Sequence, residues 1–247
     1  MNHYTLFNEK SADYARIRPR YPDELYRYLA GLCRDHRVVW DCACGNGQVA
    51  VDLVDYFKRV YATDVSQQQI ANALKKPRIS YDVVPAEATP FDDDLFDLVS
   101  VAQALHWFEY DRFWPEVKRV LKPGGIFAAW GYSFFTINSP IDAALRDTLL
   151  ASIDPFWDER NRLLWNHYRD VPFPFEKLTP PTIPLVLDWT LDELFAYLLT
   201  WSAVRRCIEQ AGDGFVSDAY TRLGRLWGDP QNRRKVTMDF CLLVGKY

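Results

Sequence analysis

The sequence predicts a doubly wound α/β fold, a mostly parallel seven-stranded sheet with helices on both faces. Three observations predict it. Short apolar strands alternate with helical stretches between residues 35 and 132, an acid and two glycines separate the first strand from its helix, and a second acid closes the second strand. Parallel strands need crossover connections, and right-handed crossovers carrying helices cover both faces of the sheet.

The elements follow in order. Residues 22–32, PDELYRYLAGL, open with Pro and two acids and place apolar residues at 25, 28, 29 and 32, a helical stripe. RVVW is a short buried strand, QVAVDLVDYF a helix, RVYATD a strand, SQQQIANALKK a helix capped by Ser66, and ISYDVVP a strand. DLFDLVSVAQA is a strand with a continuous apolar run, RFWPEVKRVL a helix and GIFAAWGY the fifth strand. After Tyr132 the alternation breaks into an insert rich in aromatics and prolines, with helices expected near 140–152 and 158–168. A strand near IPLVLDW, a helix LDELFAYLLTWSAV and a C-terminal strand KVTMDFCLLVG complete the chain. With no long linker and no internal repeat, the expectation is a single domain. It comprises an N-terminal lid and helix (1–34), a cofactor-binding core (35–132), a substrate-side insert with helices (133–235) and a closing strand (236–247).

Composition narrows the function classes. The chain has 247 residues, 49% hydrophobic and 25% charged, with a net charge of −4. It carries no basic stripe, so a nucleic-acid partner is not expected. No apolar run is long enough to span a bilayer, and the first residues lack a signal peptide's apolar centre, so a cytoplasmic location is expected. Five cysteines without framework spacing read as reduced thiols. Cys42 and Cys44 lie two apart, but no further ligand accompanies them, and no metal is expected. A monomer or weak dimer acting on a small molecule is the partner expectation.

Gly45, Gly47 and Ala50 spell G-x-G-x-x-A, a fingerprint that alone is weak evidence for a dinucleotide. Asp41 ends the strand just before this loop, where a pyrophosphate would meet a like charge. No Lys or Arg lies between Val38 and Phe57 to offset it. A cofactor carrying an ammonium and a sulfonium would instead be attracted to Asp41, and S-adenosylmethionine is such a cofactor. The loop glycines then allow close backbone approach. Asp64 closes the second strand, where a carboxylate can accept from both ribose hydroxyls or can merely cap the helix beginning at Ser66. Val65 offers an apolar face to adenine. Ala86 and Glu87, in VVPAEATPF, offer backbone and carboxylate to the adenine edge, with a solvated loop acid as the plainer reading of Glu87.

At these motifs the chain resembles the class I S-adenosylmethionine-dependent methyltransferases, which have a Rossmann-like sheet. VVWDCACGNGQVA is similar to their glycine loop, with Ala43 where glycine is usual, a methyl that is tolerable if φ stays negative. VYATDVSQQQI resembles their second motif, PAEATPFDDDLFDLVSVAQALHWF their adenine loop and fourth strand, and EVKRVLKPGGIFAAW the helix, turn and fifth strand that follow. Pro85 stands where the family often has an Asp, which shifts adenine recognition toward Glu87 and backbone groups. FNEKSADYARIRPRYP and ALHWF resemble the trans-aconitate methyltransferase subgroup of small-molecule enzymes. The resemblance implies methyl transfer to a small acceptor at oxygen, a carboxylate or a hydroxyl. An NAD(P)-dependent oxidoreductase, or a cofactor-binding protein without catalysis, are the alternatives.

His106 lies just past the fourth strand, as a base, as an orienter of a substrate acid, or as a helix-start histidine packed on Trp107. Gln103 can present its backbone carbonyl to the methionine ammonium. In DYARIRPRYP, Tyr14 and Arg18 can fold over the cofactor as a lid, with Arg18 pairing a carboxylate, or the arm can simply pack on the sheet edge. Trp107 and Trp201 are expected on the substrate side, although most large aromatics are core.

Overall fold

The structure, a computed structural model, describes residues 18–247. In chain order the elements are α1 (Asp23–Leu32), β1 (Val38–Cys42), α2 (Gln48–Leu53), β2 (Arg59–Asp64), α3 (Gln67–Ala71), β3 (Ile79–Val83), β4 (Phe96–Ala102), α4 (Tyr110–Val120) and β5 (Leu121–Thr136). There follow α5 (Ser139–Leu145), which continues through a π-helical stretch at Arg146–Leu150, then α6 (Asn161–Trp165), β6 (Glu176–Leu178) and β7 (Leu185–Trp189). The chain closes with α7 (Leu191–Leu198), α8 (Ser202–Ala211), α9 (Gly214–Trp227) and β8 (Arg234–Lys246).

The described residues form two compact units. The larger comprises Arg20–Ser133, Arg162–Ile183 and Phe240–Tyr247. Its strands run in the order β3-β2-β1-β4-β5-β8-β6. β1 pairs in parallel with β2 and β4, β2 with β3, and β4 with β5, while β6 runs antiparallel to β8. Side chains alternate faces along a strand, and the two cores show it. Val39, Leu98, Ile126, Ala128 and Trp130 pack with Leu25 and Leu29 of α1 and Ala50 and Leu53 of α2. Trp40, Cys42, Val99, Val101, Phe127 and Ala129 pack on the other face with Phe113, Trp114 and Val117 of α4. Buried Asp97, at the start of β4, accepts from the Arg37 and Val38 amides (both 2.8 Å) and pairs with Lys122, which fixes the entry of β1 beside β4.

The smaller unit holds Phe134–Asn161 and Pro184–Asp239, with Arg18 and Pro19. Here β7 pairs antiparallel with the first half of β8, Leu185 opposite Met238. A capping box starts α7: Glu193 N donates to Thr190 Oγ1 at 3.2 Å, and Thr190 N donates to Glu193 Oε2 at 2.9 Å. The single helix expected over 191–204 is in fact two. Thr200 Oγ1 donates to Tyr197 O at 2.7 Å, and Trp201 takes an extended conformation that seats its ring among Phe134, Phe135, Trp157 and Tyr197. α9 and β6 were not anticipated. The first hides behind three glycines, although Val216, Ala219, Leu223 and Trp227 are buried at helical spacing. The second is three residues long and largely exposed. No helix among the described residues is long and apolar enough to cross a membrane.

Candidate functional site

The carboxyl ends of the parallel strands bring most of the expected ligand residues to one edge of the sheet. Ala43–Gly47 follow β1, Asp64 and Val65 end β2, Ala86 and Glu87 follow β3, and Gln103, His106 and Trp107 follow β4. The winding reverses between β1 and β4, since the chain builds outward through β2 and β3 before crossing back. Crevices at such reversals are where open α/β sheets take ligands.

Asp41 of β1 and Ser100 of β4 are register partners across that reversal. Asp41 is 0% exposed. Ser100 Oγ donates to its Oδ1 at 3.4 Å, while Oδ2 is buried without a hydrogen-bond partner among the described residues. Burial pushes the carboxyl up to about 8, against the hydrogen bonds from Ser100 and the Ala50 amide that pull it down, and the nearby Asp64 adds to the rise. The group therefore sits deeper than an open, loop-facing carboxylate and stays largely neutral near pH 7 until a cation meets it.

The loop after β1 turns through the left-handed region at Ala43 (φ 55), Gly45 (φ 56) and Gly47 (φ 82). The expectation that φ stays negative at Ala43 is thus corrected: its methyl is carried in a conformation that costs about 1–2 kcal/mol for a residue with a Cβ. Cys44 N donates to Thr63 O and Gly47 N to Cys44 O, both at 2.9 Å, so the turn is stitched to β2 and to itself. The two glycines then differ. A Cβ on Gly47 would lie 2.2 Å from Tyr81 Oη, so this glycine makes room for the protein's own side chain. Among the described residues a Cβ on Gly45 would meet nothing nearer than Gln69 Oε1 at 4.0 Å. The Tyr81 hydroxyl also donates to Leu74 O at 2.7 Å, and Leu74 N to Asn46 O at 2.9 Å. These bonds draw the chain over the loop and explain why α3, although Ser66 caps it as expected, stops at Ala71.

Asp64 Oδ2 accepts from Gly45 N at 2.9 Å and Oδ1 from Ser66 N at 2.8 Å, so one carboxylate joins two loops. Val65 beside it is 71% exposed. In the loop after β3, Ala86 is buried, and Glu87 Oε1 accepts from Glu109 N at 3.3 Å. That loop is anchored by Glu116 Oε1, which accepts from Thr89 N at 2.8 Å, and by Arg119 Nη1, which donates to Phe91 O at 2.7 Å. Gln103 is left-handed (φ 58), with its N–H on Trp130 O at 2.8 Å and its side-chain amide donating to Tyr132 O at 3.0 Å. His106 is 4% exposed, with Nδ1 at 3.3 Å from the Tyr168 hydroxyl, and the Trp107 ring beside it is 41% exposed. Arg18 and Trp201 belong to the smaller unit, the first partly buried and the second 9% exposed in its aromatic cluster. Tyr14 lies outside the described residues.

Comparison with known proteins decides the family. Residues 40–129 match the methyltransferase-domain family. A Dictyostelium discoideum protein described as a methyltransferase is 32% identical over 206 residues, covering 80% of this chain and 78% of that protein. The chain belongs to the class I S-adenosylmethionine-dependent methyltransferases. A solved structure described as a type II methyltransferase, from Anaeromyxobacter dehalogenans, is 36% identical with a TM-score of 0.87, over 93% of this methyltransferase and 97% of that chain. A Saccharomyces cerevisiae protein described as an S-adenosylmethionine-dependent methyltransferase is 28% identical over 52% of this chain and 47% of its own length. A methyltransferase structure from Anabaena variabilis, 17% identical with a TM-score of 0.58 over 92% and 99% of the two chains, shares the fold. S-adenosylmethionine is the methyl donor of this enzyme.

Sequence reasoning missed several residues that shape the site. Ser100 had a usable signal, as a polar residue inside the apolar run of β4. Tyr81, Glu116 and Arg119 had none, because their partners lie on other elements.

Proposed function

We propose that this methyltransferase transfers the donor's methyl group to an oxygen of a small organic molecule, a carboxylate or a hydroxyl, as in the trans-aconitate methyltransferase subgroup it resembles. The observation that carries this reading on the donor side is Oδ2 of Asp41, buried at the reversal of the sheet and without a hydrogen-bond partner among the described residues. An ammonium satisfies such an atom and draws the carboxyl into its charged form, whereas a diphosphate brings it no donor. In this reading Ala43, Gly45 and Gly47 give the loop its backbone course, and Gln103 offers its carbonyl to the same ammonium. Asp64 takes the ribose hydroxyls on the lone pairs left beside the Gly45 and Ser66 amides, and Val65 lies against adenine. Ala86 and Glu87 meet the adenine edge. When bound, the sulfonium supplies an activated methyl group and a neutral thioether leaving group. His106 takes the proton of a hydroxyl or orients an acid, and Trp107 shields the acceptor from water. The net charge of −4, with no basic stripe in the sequence to dock a polyanion, supports a small acceptor. Five cysteines without framework spacing support a reducing, cytoplasmic setting.

Thermal unfolding with S-adenosylhomocysteine and with NADH tests the donor side. At a hundredfold excess over Kd the first should add about 2.7 kcal/mol, raising Tm by about 5–10 °C, and NADH should leave it unmoved. The opposite pattern would overturn the reading. Donor turnover across a panel of small carboxylic acids, phenols and alcohols, with amines as the contrasting set, tests the acceptor class. Turnover confined to amines would reject an oxygen acceptor.

A further inference from the structure

We infer that the Gln69 carboxamide is a further ligand for the donor's ribose, meeting a hydroxyl oxygen of the diol beside Asp64. The inference rests on the reading of Asp64 as the ribose ligand and adds a second side chain to it. Leaving aside the glycine's own neighbours in the chain, Gln69 Oε1 is the only described atom within 4 Å of the point a Cβ on Gly45 would occupy, at 4.0 Å. The N–H of the same glycine donates to Asp64 Oδ2 at 2.9 Å. An amide and a carboxylate from separate residues thus flank one loop position, and the missing side chain there leaves room for a ligand to approach.

Local hydrogen bonds set this placement. Asp64 Oδ1 accepts from Ser66 N at 2.8 Å, and Ser66 Oγ accepts from Gln69 N at 3.3 Å. The backbone of Gln69 is therefore tied, through Ser66, to the carboxylate it assists. Gln69 is the third residue of α3, and helix side chains lean toward the start of their helix. Its side chain is carried back over the turn that follows β2. Gln69 is exposed, and among the described residues its carboxamide has no hydrogen-bond partner, so its donor and its acceptor are both uncommitted.

A vicinal diol calls for this pairing. Each hydroxyl donates one hydrogen bond, which a carboxylate accepts, and each hydroxyl oxygen keeps lone pairs that a carboxylate has no proton to serve. The amide N–H of Gln69 serves one of them and adds no charge beside Asp64. The pair then distinguishes a ribonucleoside from its deoxy analogue.

Isothermal titration calorimetry of the full chain tests this with S-adenosylhomocysteine and its 2′-deoxy and 3′-deoxy analogues. The variant is Gln69→Leu, which keeps the helix propensity and removes the amide. One neutral hydrogen bond changes affinity by about 3–10-fold. Gln69→Leu should bind S-adenosylhomocysteine more weakly than wild type by that factor, and the gap should close for one analogue, because the missing hydroxyl removes the amide's partner. Equal affinities of the two proteins for all three ligands, or one common factor of loss across them, would overturn the assignment. A disturbance of α3 by leucine weakens all three ligands alike, so it cannot imitate the expected pattern. Should Gln69→Leu fail to fold, Gln69→Ala gives the same comparison. Failure of the underlying reading shows separately in wild type. Equal binding of all three ligands there would remove the ribose role of Asp64 and this inference with it, and no binding of S-adenosylhomocysteine would remove the donor site.

Discussion

Asp41→Asn is expected to flatten the dependence of stability on pH. The carboxyl ionises at about 8 in the folded chain, compared with 3.8 for an ordinary aspartate. Between those values the folded state holds a proton that the unfolded state has released. Folding is therefore favoured at the acid end of the window, and stability falls as pH rises toward the folded pKa. Each unit is worth at most about 1.4 kcal/mol, so the wild type should lose about 2–4 kcal/mol from this group between pH 5 and pH 8. Asparagine has nearly the same shape and no proton to lose, so any packing change it brings is the same at every pH. Urea unfolding followed by tryptophan fluorescence, with both proteins at pH 5, 6.5 and 8, isolates the effect as a difference that grows with pH in favour of the variant. The variant should also bind S-adenosylhomocysteine more weakly, because the amide offers no charge to the ammonium. Parallel pH curves for the two proteins would refute the reasoning, whatever their separation.

Three further substitutions follow from the same loop and from the aromatic cluster. Ala43→Gly should stabilise the chain by about 0.5–1 kcal/mol, since the left-handed strain it relieves exceeds the added freedom of the unfolded state. A fall in Tm would contradict the φ of 55 found there. Gly47→Ala should cost about 2–3 kcal/mol through its left-handed backbone and the Tyr81 hydroxyl 2.2 Å from the new methyl. Adding Tyr81→Phe should recover part of that loss in denaturant titrations, and no recovery would clear the hydroxyl of blame. Trp201→Ala should cost about 3–5 kcal/mol, because its ring packs within 6.2 Å of Phe134, Phe135, Trp157 and Tyr197. A loss below about 1 kcal/mol in protease-monitored unfolding would show the cluster to be loosely packed.

The parallel core was legible because its signals are local. Strand periodicity, the acids at the ends of β1 and β2 and the Ser66 cap each lie within a few residues of the feature they specify. The left-handed turn at Ala43 was not legible, since alanine gives no sign of positive φ and only the stitching to Thr63 imposes it. The break before α8 depends on where the Trp201 ring finds partners, which helical periodicity through LDELFAYLLTWSAV does not register. The place of Asp41 on β1 was legible, but its depth was not, because depth is set by β4 packing alongside with Ser100 in register. The contact between His106 and Tyr168 spans 62 positions and follows a left-handed backbone at His167 and Tyr168 with no sequence mark.

The bridge made by Asp64 has a thermodynamic corollary. With its oxygens already held by the Gly45 and Ser66 amides, the acid is oriented in advance for the ribose role proposed for it. Association then needs little rearrangement of these loops, so calorimetry should record a heat-capacity change no larger than the apolar surface covered by the ligand itself would give.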